Sequence, residues 1–206
     1  MKKLLIKIFS ISLLRLVRKE LHNAMLMDSK GNFIKPFHPT CENINLEVVA
    51  IALARIKRFF GQTKLSVAQH SVNMARVFMY IGNEEYAKQA LLHEVSEAFM
   101  GDLASPLKQA FPLFKEIEES LIKKTFKCYG LNYPMAQDVH ILDKQIMIYE
   151  AVTHMPKEEF WLSLSHTELV DKQVFSLTQV VDLEAWSEEK AFNEFINTAK
   201  DLKLID

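Results

Sequence analysis

Residues 65–108 of the chain read LSVAQHSVNMARVFMYIGNEEYAKQALLHEVSEAFMGDLASPLK. Apolar residues recur there at steps of three and four, at positions 65, 67, 68, 72, 75 and 78 and again at 90, 91, 92, 95, 98 and 99. This spacing is typical of helices with a buried face. It predicts one helix that ends near Gly82 and a second that runs from about Glu84 to Met100, where Gly101 stops it.

Four polar residues lie among these apolar positions: His70, His93, Glu94 and Glu97. A buried imidazole or carboxylate is costly unless it is paired or binds a metal. His93 and Glu97 are four residues apart and share a helix face, and Asp143 lies in a later predicted helix. If three antiparallel helices pack together, two imidazoles and two carboxylates can meet, which suits a divalent transition metal or magnesium. Each residue alone is a weak signal, because a single buried histidine is more often a hydrogen-bonded core residue.

The rest of the chain also favours helices. Only five glycines and six prolines occur in 206 residues, and the apolar fraction of 49% and charged fraction of 25% are ordinary for a globular protein. We expect an all-α helical bundle in one domain. Further helices are predicted from a cap at Asn43 or Asn45 to about Phe59, over 113–128, from 135 to about 153, and from 187 to about 200.

The two ends of the chain are harder to interpret. Residues 1–22 predict an amphipathic basic helix, too short to span a membrane, that packs on the core, a partner subunit or a membrane surface. Residues 24–36 predict a β-hairpin with its turn at 28–32. The main domain is expected over 23–206, with a catalytic core at about 43–155. The run 173–181 fits a strand or a loop.

Charge and cysteine content limit the possible functions. Twenty-five basic and 26 acidic residues give a net charge of -1, so no nucleic-acid partner is expected. Cys41 and Cys128 form no close motif, which favours a reduced, cytoplasmic setting over a disulfide scaffold. His93-Glu94 lacks the second histidine of the zincin H-E-x-x-H pattern, which argues against a protease. Glu150 and His154, four residues apart, are expected on a solvated face.

The order His70, His93-Glu94, Asp143 resembles the H…HD…D signature of the HD-domain metal-dependent phosphohydrolases. The likeness covers about residues 30–155. It is closest to the bacterial 5'-deoxynucleotidases and the phage dATP triphosphohydrolases, which carry HD-x-x-E-x-x-x-G-D followed by a proline and a lysine. In this chain the segment reads His93-Glu94-Val95-Ser96-Glu97, then Gly101-Asp102, then Pro106 and Lys108.

The resemblance implies a role for each matched residue. His70, His93, Glu94 and Asp143 would hold a divalent ion such as Zn, Mn, Co or Mg. Glu97 would act as general acid/base. The remaining roles concern the substrate: Asp102 would face the sugar or the reacting water, Arg58 and Phe59 would contact phosphate and sugar, and Lys108 would neutralise phosphate charge. The family also implies a small nucleotide substrate and a homo-oligomer.

Two positions depart from the family pattern. Glu94 stands where relatives have Asp, which moves the carboxylate by about one bond length, although ligand distances vary by only ~0.2 Å. His140 stands where several relatives have lysine, so that phosphate contact would weaken, become pH-dependent or fall to Lys144.

Three functions are compatible with the sequence. The first is a metal-dependent phosphohydrolase of deoxynucleotides, releasing phosphate from a monophosphate or triphosphate from a dNTP. The second is a non-catalytic HD module that binds a nucleotide after losing its metal through Glu94. The third is a signalling hydrolase of cyclic or hyperphosphorylated nucleotides, which the segment around Asp102 fits less well.

Overall fold

A computed structural model describes residues 24–164 and 180–206 of the chain. These residues are mostly helical, with one small antiparallel sheet. The sheet consists of β1 (Leu26–Met27) and β2 (Phe33–Ile34). The α-helices are α1 (Leu46–Arg55), α2 (Val67–Tyr80), α3 (Glu84–Leu92), α4 (Glu97–Met100), α5 (Ser105–Ala110), α6 (Pro112–Cys128), α7 (Gln137–His154), α8 (Glu158–Ser163) and α9 (Glu188–Asp201).

The hairpin forms as predicted. Leu26 pairs with Ile34 and Met27 with Phe33. The Asp28 carboxylate accepts the backbone N–H groups of Lys30 and Asn32 at 2.8 Å each, which satisfies the donors inside the tight turn.

Side-chain caps fix where several helices begin. Asn45 accepts hydrogen bonds from the first-turn N–H groups of α1, and Ser66, Asn83 and Ser187 do the same for α2, α3 and α9. Such caps satisfy donors that have no partner within the helix. Asn45, and not Asn43, therefore starts α1, and the predicted start of the last helix is confirmed.

Helix α1 ends at Arg55, before the predicted end at Phe59. Ile56 is extended, and its carbonyl accepts the Val67 N–H at 3.0 Å, while the Arg58 N–H donates to the Leu65 carbonyl at 2.9 Å. Pairing with the residues that precede α2 replaces the helical hydrogen bonds. It also fixes the backbone of Arg58.

Helix α2 lies at the centre of the fold and is buried along most of its length. It packs against α1, α3, α7 and α9. The core cluster draws on all five helices, for example through Leu53, Val72, Leu91, Ile146 and Phe195.

Two polar residues of α2, Gln69 and Asn73, bind the segment that precedes α9. The Gln69 amide donates to the carbonyls of Asp182 and Glu184 at 2.8 Å each. The Asn73 amide donates to the Asp182 carbonyl at 2.9 Å. These bonds hold residues 182–186 against α2 and orient the start of α9.

Two further sequence predictions about the fold are wrong. The helix expected from Glu84 to Met100 is interrupted, because residues 93–96 form a turn between α3 and α4. Cys41 and Cys128 are joined in a disulfide with their Cα atoms 5.5 Å apart. The two cysteines are 87 positions apart along the chain, so nothing in the local sequence indicates that they lie close together. The predicted helix over 1–22, and most of the run 173–181, lie outside the described residues.

Candidate metal centre and active-site cavity

Four predicted ligands converge on one point. His70 comes from the middle of α2, His93 and Glu94 follow directly after α3, and Asp143 comes from α7. One ligand atom from each of these residues lies within 4.8 Å of all the others. Successive helical residues point about 100° apart, so the turn at 93–96 is what allows His93 and Glu94 to reach the same point. This group could hold a metal ion.

The geometry of His93 fits a metal ligand. Its Nδ1 lies 2.7 Å from the Ala90 carbonyl oxygen, so this nitrogen carries the proton and donates. Its Nε2 is buried and has no hydrogen-bond partner within the described part of the chain. The oxygens nearest to it are Glu94 Oε1 at 3.4 Å and Asp143 Oδ1 at 3.9 Å. An unpartnered buried nitrogen facing two carboxylates is the arrangement expected where a cation completes the contacts.

His70 is held by a residue that the sequence did not reveal. Its Nδ1 lies 2.8 Å from Glu150 Oε1, and its Nε2 lies 3.1 Å from Asp143 Oδ1. A carboxylate behind one ring nitrogen fixes the tautomer and aims the other nitrogen at the metal. Glu150 is 1% exposed, so its predicted place on a solvated face is wrong. His154, its expected neighbour on that face, is half-buried and donates from Nε2 to the Leu183 carbonyl at 2.7 Å.

Glu150 also binds Arg58. Its Oε2 accepts from Arg58 Nε at 3.0 Å, and an outer nitrogen of Arg58 lies 3.6 Å from Glu94 Oε1. Burial alone would lower the pKa of the guanidinium, but the charges of Glu150 and Glu94 raise it. Arg58 therefore stays charged, and it lies beside Glu94, one of the four candidate metal ligands.

The ionisable groups of the candidate metal centre shift one another's pKa values. Burial and the charge of Arg58 lower the pKa of His70, but the charge of Glu150 and the hydrogen bonds to Asp143 and Glu150 outweigh them and raise it. For His93, the Glu94 carboxylate outweighs burial and likewise raises the pKa.

The carboxylates respond in the opposite direction. Burial opposes ionisation of Glu94, but the charge of His93, 3.4 Å away, lowers the pKa of Glu94 to about 2. Burial of Asp143 is likewise outweighed by the hydrogen bond to His70 and the charge of His93, which lower its pKa. Two ionised carboxylates beside two imidazoles form a donor set in which a divalent cation can replace the ring protons.

Glu97 titrates differently from these carboxylates. Burial, followed by the negative charge of Glu94, raises the pKa of Glu97 to about 9. Its Oε1 lies 3.2 Å from Lys108 Nζ, and its Oε2 is buried without a hydrogen-bond partner among the described residues. Lys108 also lies 2.6 Å from Glu118. Lys108 therefore keeps its charge while Glu97 holds a proton at neutral pH.

The site opens into a cavity of about 810 Å³. Its polar lining includes eight of the predicted site residues, both metal ligands and residues expected to act on substrate: Arg58, His93, Glu94, Glu97, Asp102, Lys108, Asp143 and Lys144. His140 is exposed and does not line it, so of the two predicted alternatives only Lys144 reaches the cavity. Asp102 accepts the Phe60 N–H at 3.3 Å and so helps to shape the wall.

A second group of lining residues is apolar and was missed by the sequence reasoning; we call it the aromatic end of the cavity and the charged lining the polar end. Phe59 lines it as expected, but so do Phe60, Phe160, Trp161 and Leu164. Phe59 and Trp161 meet edge to face with their ring centroids 5.8 Å apart. The available signal was the aromatic pair at 160–161, directly after the break at Pro156, in a stretch with no predicted role.

No family model matches the chain. The chain is similar to the uncharacterized protein YfdR of Escherichia coli strain K12, with 33% identity over 104 residues, which are 50% of this chain and 56% of the relative. An uncharacterized protein of Rhodobacter capsulatus is 32% identical over 109 residues, which are 49% of this chain and 56% of that relative. The match thus spans about half the length of each. In the described ranges no helix combines the length and hydropathy that crossing a membrane requires.

Proposed function

We propose that this protein is an HD-domain phosphohydrolase that uses a divalent metal to cleave phosphate from deoxynucleotides. The observation that carries the proposal is the convergence of His70, His93, Glu94 and Asp143, with donor atoms within 4.8 Å, beside a buried carboxyl with a raised pKa. Groups with strongly perturbed pKa values that lie in a cleft beside specific charge partners cluster at functional sites.

A bound divalent ion would supply a Lewis acid and lower the pKa of a water molecule towards neutrality. The protein's own residues provide the remaining chemistry. Glu97, protonated at neutral pH, can donate its proton to the leaving oxygen, and the carboxylate that results can accept the proton released by the attacking water. Arg58 and Lys108 line the same cavity and can offset charge on the phosphoryl oxygens.

The substrate and setting follow from this proposal. A nucleotide is the expected small-molecule partner, and a homo-oligomer is proposed from the family resemblance alone. The cytoplasmic setting was inferred partly from unpaired cysteines and loses that support, because disulfides are rare in reducing compartments. The proposal of a cytoplasmic setting now rests on the proposed nucleotide substrate.

Turnover by the purified protein tests the proposal. Phosphate and triphosphate release is measured for the four dNMPs and four dNTPs with Mn, Co, Zn or Mg. We expect release with at least one pair of substrate and metal, and a loss of about 10²- to 10⁴-fold in Glu97→Gln. Glu119→Gln, an exposed site on α6, is the matched control. No release from any pair would refute the enzyme.

One observation favours the second candidate, a nucleotide-binding module without catalysis. Arg58 lies 3.6 Å from the carboxylate of Glu94, and this ion pair competes with a metal for that ligand. The module predicts thermal stabilisation by nucleotide without metal and no gain of activity in Glu94→Asp. The enzyme predicts stabilisation by metal alone.

A further inference from the structure

The cavity is larger than the proposed reaction requires. Charged groups that would surround a phosphoryl group line its polar end, and Phe59, Phe60, Phe160 and Trp161 form the wall of its aromatic end. Two of the aromatic side chains in that wall remain open to solvent: Phe60 is 64% exposed and Phe160 is 54% exposed. Large exposed aromatic rings beside a charged cavity mark a surface that a ligand can cover.

Both segments that build this wall have unusual backbones. Phe59 and Phe60 have positive φ angles of 55° and 45°, which residues with a side chain rarely adopt. Helix α8 begins after Lys157, which also has a positive φ, of 65°. Strain of this kind persists where the surroundings impose it, and it clusters at ligand sites.

Contacts hold the wall in place. Asp102 accepts the Phe60 N–H, and the Trp161 indole N–H donates to the Pro156 carbonyl at 3.1 Å. Phe160 and Trp161 meet edge to face at 5.1 Å. These contacts fix the Phe60 backbone and hold the Phe160 and Trp161 rings against each other, which reduces the side-chain entropy lost when a ligand binds to that pair.

Phe59 joins the two ends of the cavity. The guanidinium carbon of Arg58 lies 5.7 Å from the centre of the Phe59 ring, and the same ring contacts Trp161. A ligand whose anionic group binds Arg58 therefore extends directly along the aromatic wall. The ligand must be anionic at one end and flat and apolar at the other.

We propose that Phe60, Phe160 and Trp161 form a stacking subsite for the base of a nucleoside phosphate. The position of the phosphate in this proposal rests on the proposed function; the subsite itself does not require turnover. An aliphatic chain would be better served by an enclosed tunnel, because it gains from burial on all sides. A heterocycle keeps its polar edge in water while its faces stack, and this wall is open to solvent. Lys144 lines the cavity too and offers a donor for a base edge.

Two neutral compounds, a nucleoside and a free sugar, test the subsite independently of catalysis. Binding of 2'-deoxyadenosine and of 2-deoxyribose to the full chain as purified is measured by calorimetry and by tryptophan fluorescence. We expect deoxyadenosine to bind and to quench the emission, and deoxyribose to do neither. Phe160→Ala and Trp161→Ala should weaken deoxyadenosine binding about ten- to a hundredfold. Phe33→Ala is the control, because Phe33 is 58% exposed on the hairpin and does not line the cavity.

The outcomes separate the two proposals. If Phe160→Ala and Phe33→Ala bind deoxyadenosine alike, or if geraniol binds more tightly than deoxyadenosine, the stacking subsite is wrong even where phosphate is released. If no dNMP or dNTP is hydrolysed but deoxyadenosine binding depends on Phe160, the enzyme proposal fails and the subsite stands. Trp161→Phe keeps the contact with Phe59 and should retain most of the binding.

Discussion

The two ends of the cavity are built on opposite principles. At the polar end, Arg58 is bound to Glu150, which also binds His70, and all three side chains are buried. At the aromatic end, Phe60 and Phe160 are more than half exposed. A change in one of these groups leaves another buried charge without its partner. Substitutions at the polar end are therefore expected to lower both the stability of the fold and the function of the site. The aromatic end can change with little effect on folding.

The largest effect should follow from Asp143→Asn at the polar end. Asp143 lies 3.1 Å from His70 and 3.9 Å from His93, and the amide removes the negative charge that both imidazoles face. We expect the affinity for Mn to fall by at least about 100-fold, measured by calorimetry on metal-free protein.

The matched control is Asp138→Asn, an exposed position on the same helix. It should bind Mn as the unaltered protein does. Equal Mn affinity in the two variants would mean that Asp143 is not a ligand.

The next effect is expected from Glu150→Gln. The neutral amide cannot balance Arg58, nor hold the His70 ring by a charged bond. We expect Mn affinity to fall about ten- to a hundredfold and the free energy of unfolding to fall by about 3 kcal/mol.

Glu158→Gln, at an exposed site on α8, serves as the comparison. Metal affinity is measured at a temperature where circular dichroism shows both variants folded. A loss of stability with unchanged metal affinity would make Glu150 a structural residue only.

The convergence of the four candidate ligands could be predicted from the sequence, but the residues that hold them in place could not. Apolar spacing located α2 and α7, and three of the polar residues that broke the spacing, His70, His93 and Glu94, converge with Asp143 in a group that could hold a metal ion. Glu150 escaped because its spacing to His154 matches a solvated helix face, and periodicity cannot show that a partner such as Arg58 comes from 92 residues away.

Other features depended on contacts between distant parts of the chain. The disulfide joins residues 87 positions apart, and the turn at 93–96 interrupts a sequence with uninterrupted helical spacing. The pairing of residues 56–58 with 65–67 ends α1 early. In each case a tertiary contact outweighs the local pattern, and a single sequence carries no record of that contact.

A pH-dependent effect on stability is expected from Glu97. Its pKa is raised to about 9 in the folded protein from an ordinary value near 4.3 in the unfolded chain. The folded state therefore binds one more proton between these values, and the stability that it contributes is present below about pH 4 and is lost as the pH rises to 9. The slope is at most about 1.4 kcal/mol per pH unit.

Urea unfolding of metal-free protein at pH 5 to 9 measures this effect. The Glu97→Gln variant should become progressively more stable relative to the unaltered protein as the pH rises, because it has no proton to lose. Parallel stability curves for the two proteins would show that Glu97 ionises normally.

The smallest effect on folding should come from the aromatic end. Phe60 is 64% exposed and holds a left-handed conformation with φ 45°. Phe60→Gly relieves about 1–2 kcal/mol of strain but gives up about 0.5–1 kcal/mol through the entropy of the unfolded chain. We therefore expect the free energy of unfolding to change by less than about 1 kcal/mol, measured with urea, while deoxyadenosine binding weakens. Phe60→Ala keeps the strain and loses the ring, so it should be the less stable of the two variants. If Phe60→Gly lost stability as Glu150→Gln does, the aromatic end would belong to the folded core and the contrast between the two ends would fail.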